Sequence, residues 1–378
     1  MAPHHFLVGT FNTPAVFTLA FDPSKRSVDV VAKSEATGAH SWLSLNADKS
    51  VVYATAWTEP PGLAAYAISR PTSSSAPSLS LINSVTTAAR SGYCCNSPVA
   101  VYSAGGPTGE VFAIDPKTGG FKEAKELQKL DFVDQKGQQD DGGVMDFGGL
   151  RHGAHSADLS PDGKLLYIAD IGRNCIFVYA VAEDGSLTLA DKNIAPRPTD
   201  GPRHVWPHPN GRYVYSLQEH TSMVDVFEVN ADSTLSWKQG VKIIPADLSP
   251  TLFWADEVRL SLSPSSSGPS YLFASTRGLV ASQLGWVAVF RLDSSGLVAS
   301  ETPLALWETP TSGGWANAVE PAPVGEWKDA EEGKEYIALT DSEEGYVFVL
   351  SWDGEKVEEV ARTKLEGGAG AATAVWLD

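Results

Sequence analysis

Cationic side chains are scarce. Lysine and arginine number 28 against 46 aspartates and glutamates, a formal net charge of -18. No basic run interrupts that acidity, which argues against nucleic acid and against an anionic membrane surface as partners. Cysteine is nearly absent, with three residues and no C-x-x-C, so neither a disulfide framework nor a structural zinc site is expected. Cys94 and Cys95 are adjacent and far from Cys175. Two reduced, partly buried thiols are the plain expectation there, and a strained vicinal disulfide is the alternative. No apolar run reaches the roughly 18 to 20 residues that span a bilayer. The start, Met1-Ala-Pro-His-His-Phe-Leu-Val, lacks a basic segment followed by a long apolar one, and the expected setting is soluble and cytoplasmic. Extended 3.6-residue apolar periodicity and strand-helix alternation are also missing, which disfavours the α/β folds.

What the chain does have is 43% hydrophobic and 10% aromatic residues with 20% charged, the composition of a packed globular protein. A strand, a turn bearing Asp or Asn with Gly or Lys, and a strand carrying Tyr or Phe ahead of small residues recur along it. Leu43 to Ala56, Ser156 to Asp170, His204 to Leu217 and, more loosely, Val258 to Ser275 are copies. The turns Ser160-Pro-Asp-Gly-Lys and His208-Pro-Asn-Gly-Arg read as hairpins, because Asp-Gly and Asn-Gly supply the positive φ that tight turns need. A further strand follows in Asn174–Val181, Met223–Val229 and Gly285–Leu292, and Glu335–Thr340 with Gly345–Trp352 repeats the pair. Ser156 and its equivalent Val205 are 49 residues apart, and 378 residues shared among seven blades is 54 each, the period of a four-stranded propeller blade.

The expected fold is therefore all-β: a seven-bladed β-propeller of four-stranded antiparallel blades, one domain over residues 1–378. The strand-like ends Phe6–Phe11 and Ala374–Leu377 are expected to share a blade and so close the ring. The stretch from Gln135 to Gly153, rich in Gly, Gln and Asp, is long enough to be functional or mobile.

Propellers gather loops from every blade, so chemistry-bearing residues should recur at equivalent junctions. Before the first strand of successive copies stand Gly153-Ala-His155 and Gly201-Pro-Arg203-His204; after the second stand Gln218-Glu219-His220 and Thr276-Arg277-Gly278. Taken singly, Arg203 is as readily a surface ion-pair partner, His155 a structural histidine, and Glu219 with Arg277 a structural salt bridge. Their recurrence at blade junctions, where a strand would more cheaply carry Thr or Ser, favours an anion site with an acid/base group. His152, His204, His208 and His220 are weaker candidates. His4 and His5 have no acidic or histidine partner at ligand spacing, so no metal is expected.

The segments G-P-R-H-V-x-x-H-P-N-G-R-Y-x-Y with Glu219, H-G-A-H-S-A-D-L-S-P-D-G-K with Tyr167, and S-T-R-G with V-A-V-F-R-L-D resemble the seven-bladed propeller lactonase superfamily, which includes 6-phosphogluconolactonase-like proteins. The likeness runs from about His40 onward, and the segment from Pro60 to Gly149 carries none of these motifs. Within it, His4–Phe11, Ser41-Trp-Leu, Pro310-Thr-Ser-Gly-Gly-Trp-Ala-Asn-Ala-Val, Thr340-Asp-Ser-Glu-Glu-Gly-Tyr and Ala374-Val-Trp-Leu-Asp are similar to the fungal 3-carboxy-cis,cis-muconate lactonizing enzymes. That resemblance implies a cycloisomerase of aromatic (protocatechuate) catabolism, reversibly closing 3-carboxy-cis,cis-muconate to its lactone. It places the catalytic set on His155, Arg203, Glu219 and Arg277, with Arg203, His204, Arg277 and Asn317 as substrate-binding candidates.

The implied substrate is a small polycarboxylate. Ring closure builds charge on an enolate-like carboxylate, which Arg203 and Arg277 would stabilise. An imidazole suits proton delivery near neutral pH, so His155 is the first candidate donor and Glu219 the second, unless Glu219 orients its neighbours. The reaction is redox-neutral and its nucleophile belongs to the substrate, so no cofactor is needed. Two other readings stay open: a lactonase opening a sugar or other lactone, and a non-catalytic interaction propeller. Trp352-Asp353 is isolated and no Gly-Gly kelch pattern occurs, against the latter. A homo-oligomer is left open.

Overall fold

The computed structural model describes residues 3–70, 76–132, 153–262, 268–327 and 333–378. The Gln135 to Gly153 stretch up to and including His152 lies outside them, as do Ser263 to Ser267 in the loosest of the hairpin repeats. Among the described residues helix is limited to three short 3-10 turns.

The strands form seven four-stranded antiparallel sheets, the blades of a seven-bladed β-propeller. β1 (His4–Thr10), β2 (Ala15–Asp22) and β3 (Ser27–Glu35) begin the first sheet. Four sheets follow as simple meanders: β4 (Leu43–Leu45), β5 (Val51–Ala56), β6 (Gly62–Ser69) and β7 (Ser78–Thr86); β8 (Tyr93–Asn96), β9 (Ala100–Ala104), β10 (Thr108–Ala113) and β11 (Gln128–Asp131); β12 (Ala154–Leu159), β13 (Leu165–Asp170), β14 (Cys175–Val181) and β15 (Leu187–Ile194); β16 (Pro202–Pro207), β17 (Tyr213–Gln218), β18 (Met223–Val229) and β19 (Leu235–Lys242). Two more are β20 (Phe253–Leu260), β21 (Tyr271–Gly278), β22 (Trp286–Arg291) and β23 (Ala305–Glu308), then β24 (Val319–Pro321), β25 (Glu335–Thr340), β26 (Tyr346–Trp352) and β27 (Val357–Lys364). β28 (Ala371–Trp376) returns to β1 with Phe6 opposite Trp376 and Val8 opposite Ala374, so the two ends of the chain share a blade as expected.

By contact density the chain divides into two compact units. One comprises Met1–His40, Ser69–Leu79 and Gly240–Asp378; the other comprises Ser41–Ile68 and Ser80–Gln239. In each, apolar cores lie between successive sheets. In the second unit, Tyr167, Ile176 and Val178 pack with Val205, Val214 and Phe227, and Tyr102 and Val111 pack with Ile168 and Phe177. In the first, Phe6, Phe17 and Trp376 meet Tyr336, Val347 and Trp327. The recurrent aromatic of the sequence repeat explains this order: Tyr53, Tyr102, Tyr167, Tyr215 and Phe273 each stand third in the second strand of a repeat and are fully buried. Each side chain contributes roughly 1.5 to 3 kcal/mol by leaving water. The fourth strands are the exposed edges, as the burial of β15 and of β7 shows.

The hairpin turns differ from the expectation in one respect. Gly163 and Gly211 have φ of +69° and +72°, but Asp162 and Asn210 do not enter the left-handed region. Five residues connect the strands in each hairpin, a single glycine takes the left-handed conformation, and the acidic or amide side chain braces the turn instead. Asp162 Oδ1 accepts the Ser160 hydroxyl at 2.7 Å and the Lys164 amide at 3.1 Å, and Asn210 Oδ1 accepts the Arg212 amide at 2.8 Å. Cys94 and Cys95 are free. Consecutive strand residues face opposite sides, so Cys94 joins the core shared by β5 and β9 while Cys95 packs beside Leu166 and Ile168.

Candidate active site

In a regular strand each residue has one partner across the ladder. Three first strands break that rule at the same register step. β12 pairs Ala154 with Asp170 and Ser156 with Ala169, leaving His155 as the extra residue. β16 pairs Pro202 with Gln218 and His204 with Leu217, leaving Arg203. β20 pairs Ala255 with Thr276 and Glu257 with Ser275, leaving Asp256. Bulges re-aim a side chain and interrupt the ladder locally, and they concentrate near functional sites. Two of the candidates named from sequence, His155 and Arg203, thus occupy equivalent bulges.

In the second unit His155, Arg203, His204 and Glu219 form one cluster. Arg203 is 6% exposed and donates from Nε to Glu219 Oε1 at 3.2 Å. Its Nη1 lies 3.1 Å from His204 Nε2. A guanidinium N–H can only donate, so His204 Nε2 is the acceptor and that ring nitrogen carries no proton. The second carboxylate oxygen of Glu219 is 3.6 Å from His220 Nε2. Behind the arginine, the His204 ring meets Trp42 and Tyr93 edge-on at centroid distances of 5.3 and 5.2 Å, and the His155 ring lies 5.1 Å from it. Trp42 stacks on Tyr93 at 3.8 Å, and the Tyr93 hydroxyl donates to Asp158 at 2.7 Å. A buried, charge-assisted Arg–carboxylate bond inside an aromatic wall gives Arg203 one direction. His155 is half-buried, whereas His204, Glu219 and His220 are almost wholly enclosed.

Gly201 holds the approach to this cluster. Its φ is +66°, and a Cβ there would meet His220 Cδ2 at 2.6 Å, so both backbone and space demand glycine. The Glu219 amide donates to the Gly201 carbonyl at 2.8 Å, which sets Glu219 one register step beyond the paired end of β17.

Arg277 and Asn317 belong to the first unit. Arg277, 7% exposed, has Nε 3.7 Å from Asp256 Oδ1, donates from Nη1 to the carbonyls of Gly314 and Trp315, and lies over the Trp254 ring at 4.9 Å. Asn317 is fully buried; its amide donates to Asp256 Oδ2 at 2.7 Å and its side-chain Nδ2 to the Thr276 carbonyl at 2.9 Å. His204 therefore contacts Arg203 directly, whereas Asn317 is tied to Asp256 and to the Thr276 carbonyl next to Arg277 in the chain. Asp256, Trp42 and Tyr93 were not singled out from sequence. Asp256 sits in Trp-Ala-Asp-Glu-Val, with no glycine before it to match the Gly-x-His and Gly-x-Arg pattern, and only the register shift reveals it. His208, in its turn, accepts the Asn210 amide at Nδ1 and is structural. His4 stacks on Trp327 at 3.7 Å. Among the described residues no group of three or more His, Cys, Asp or Glu side chains could hold a metal ion, and no helix is long and apolar enough to cross a membrane.

The family model of the seven-bladed β-propeller lactonases matches residues 5–304. A protein of Cutaneotrichosporon cutaneum named muconate cycloisomerase 1 is 43% identical over 99% of this chain and 98% of its own length. A carboxy-cis,cis-muconate cyclase of Neurospora crassa is 28% identical, with the whole of both chains covered. Among solved structures, the periplasmic gluconolactonase of Pseudomonas aeruginosa matches with a TM-score of 0.77 at 18% identity, over 99% of this chain and 98% of that one.

Proposed function

The chain belongs to the seven-bladed β-propeller lactonase family, and from that premise we propose that it is a cycloisomerase closing 3-carboxy-cis,cis-muconate to its lactone. A relative named for muconate cycloisomerisation that shares 43% of its residues from end to end supports the reaction class. The observation in the fold that carries the reading is Arg203, buried, fixed by Glu219 and His204, and set at the bulge equivalent to that of His155.

One substrate carboxylate oxygen adds to the conjugated double bond, forming the ring C–O bond. The π electrons move onto the far carboxylate as an enolate, and a proton then reaches the adjacent carbon. The ionised substrate takes up one proton from solvent, and no other atom is gained or lost. Arg203 and Arg277 are the donors proposed for the developing charge, and removing one such preorganised donor typically costs about 100- to 1,000-fold in rate. His155 is the proposed proton donor, regaining its proton from solvent after turnover. Glu219, bonded to Arg203 and beside His220, is proposed to fix the guanidinium direction, with His204 behind it and Asn317 tied to Asp256 beside Arg277. Because nucleophile and alkene belong to one molecule, holding the diene in its reactive conformer is the main task left to the protein.

The test is product analysis in deuterated water. Incubation with 3-carboxy-cis,cis-muconate should yield the lactone with one carbon-bound deuterium next to the new ring bond. Unsubstituted cis,cis-muconate is run beside it, since the relative at 43% identity is named for muconate, and faster closure of the unsubstituted diacid would move the substrate assignment to it. Hydrolysis of 6-phosphogluconolactone with neither muconate consumed would replace the cycloisomerase reading by a lactonase.

A further inference from the structure

We propose that Asp256 is a positioning residue for Arg277 in the cycloisomerase reaction, an inference that rests on the function proposed above. In the β16–β17 pair the bulge carries a cation, Arg203, and the neighbouring strand end carries the anion Glu219. In the β20–β21 pair the same two register positions are filled with the signs exchanged. Asp256 occupies the bulge, and Arg277 stands opposite Trp254, one step beyond the Ala255–Thr276 pair. A charged bulge and an opposite charge on the adjacent strand is thus one local device used twice.

Asp256 is 1% exposed and ties three segments together. Oδ1 lies 3.7 Å from Arg277 Nε, and Oδ2 accepts the Asn317 amide at 2.7 Å, which anchors the segment preceding β24. That same segment supplies the Gly314 and Trp315 carbonyls that receive Arg277 Nη1. With Trp254 under the guanidinium plane, the side chain is held at its Nε edge, at Nη1 and on one face. Asp256 governs the first of these directly and the second through the backbone it anchors. A buried ion pair is weak evidence for stability, because desolvation offsets most of its attraction. Its effect here is on direction: a fork-shaped cation stabilises a developing carboxylate charge only when its N–H bonds are already aimed.

The experiment is a double-mutant cycle on the full chain with 3-carboxy-cis,cis-muconate, using Asp256→Asn, Arg277→Ala and the pair. The asparagine variant keeps the shape and an acceptor for the Asn317 amide while removing the charge. Arg277→Ala should lower kcat/KM by about 100- to 1,000-fold. Asp256→Asn should lower it at least about 5-fold, within the coupling range of close charged neighbours, mainly through kcat, and should add nothing further in the Arg277→Ala background. Added guanidinium should partly restore Arg277→Ala, and should do so less well when Asp256 is also replaced. If Asp256→Asn fails to fold, Asp256→Glu, which displaces the charge by one methylene, is read in the same cycle. Wild-type turnover by the folded Asp256 variant beside an impaired Arg277→Ala overturns this inference alone, as do effects that multiply in the double variant. Wild-type turnover by Arg277→Ala overturns the reading of Arg277 itself, and this inference with it.

Discussion

Arg203 shows how one residue is made specific by its neighbours. An isolated arginine adopts many rotamers, but here Glu219 takes Nε, His204 takes Nη1, and the stacked Trp42 and Tyr93 rings abut the imidazole edge-on. Arg203→Lys keeps the charge and loses the planar fork, so kcat should fall by about 100-fold with the fold retained, as steady-state kinetics beside circular dichroism would show. His155 and Arg203 were legible as a matching pair because a Gly-x-His and a Gly-Pro-Arg precede equivalent strands, and each is the extra residue of its bulge. Asp256 was not legible, since a bulge is a property of pairing between strands and leaves no mark in a single strand's composition. Nor was the burial of His204 and Asn317, since burial of a polar side chain depends on elements distant in sequence.

At the level of elements, the repeat was readable because turn chemistry and the buried aromatic of each second strand recur in order. The fourth strands were expected from the blade period but not placed in the sequence: β15, β19 and β27 are edges with many exposed or half-exposed residues whose polar residues blur the alternation. Gly201 tests the approach to the site. Gly201→Ala must adopt a left-handed conformation and push against His220, so it should cost about 1 to 2 kcal/mol or more in urea unfolding and lower activity together. Asp170, at the end of β13, tests the electrostatics of the β12–β15 sheet. It forms a buried pair with Arg173 at 3.3 Å, yet burial outweighs that attraction and pushes its carboxyl up to about 6 from 3.8. A native value above the unfolded one means the folded state holds the proton more tightly. Asp170 ionisation therefore withdraws stability as pH rises from about 4 to about 6. The stability of the wild type minus that of Asp170→Asn should fall across that window and level off above it. Asp170→Ala, which strips Arg173 of its carboxylate, should cost about 3 to 5 kcal/mol at pH 7 by urea unfolding.

For the whole molecule, 378 residues and a 54-residue period already pointed to a radial all-β array, and the pairing of β28 with β1 realises the expected junction of the chain's ends. Trp376 packs against Phe6, Phe21 and Trp327. Trp376→Ala should therefore cost about 3 to 5 kcal/mol, and removal of residues 371–378, which leaves β1 an open edge, should cost more and promote aggregation in thermal scans. The central claim is that this propeller closes a muconate-type lactone using its own side chains. It is tested most directly by following loss of diene absorbance of 3-carboxy-cis,cis-muconate with EDTA present, for the wild type beside His155→Ala and Arg203→Ala. The account predicts rapid loss with the wild type and a rate lower by at least about 100-fold with each variant. No loss with folded wild type, or equal loss with all three proteins, would contradict it.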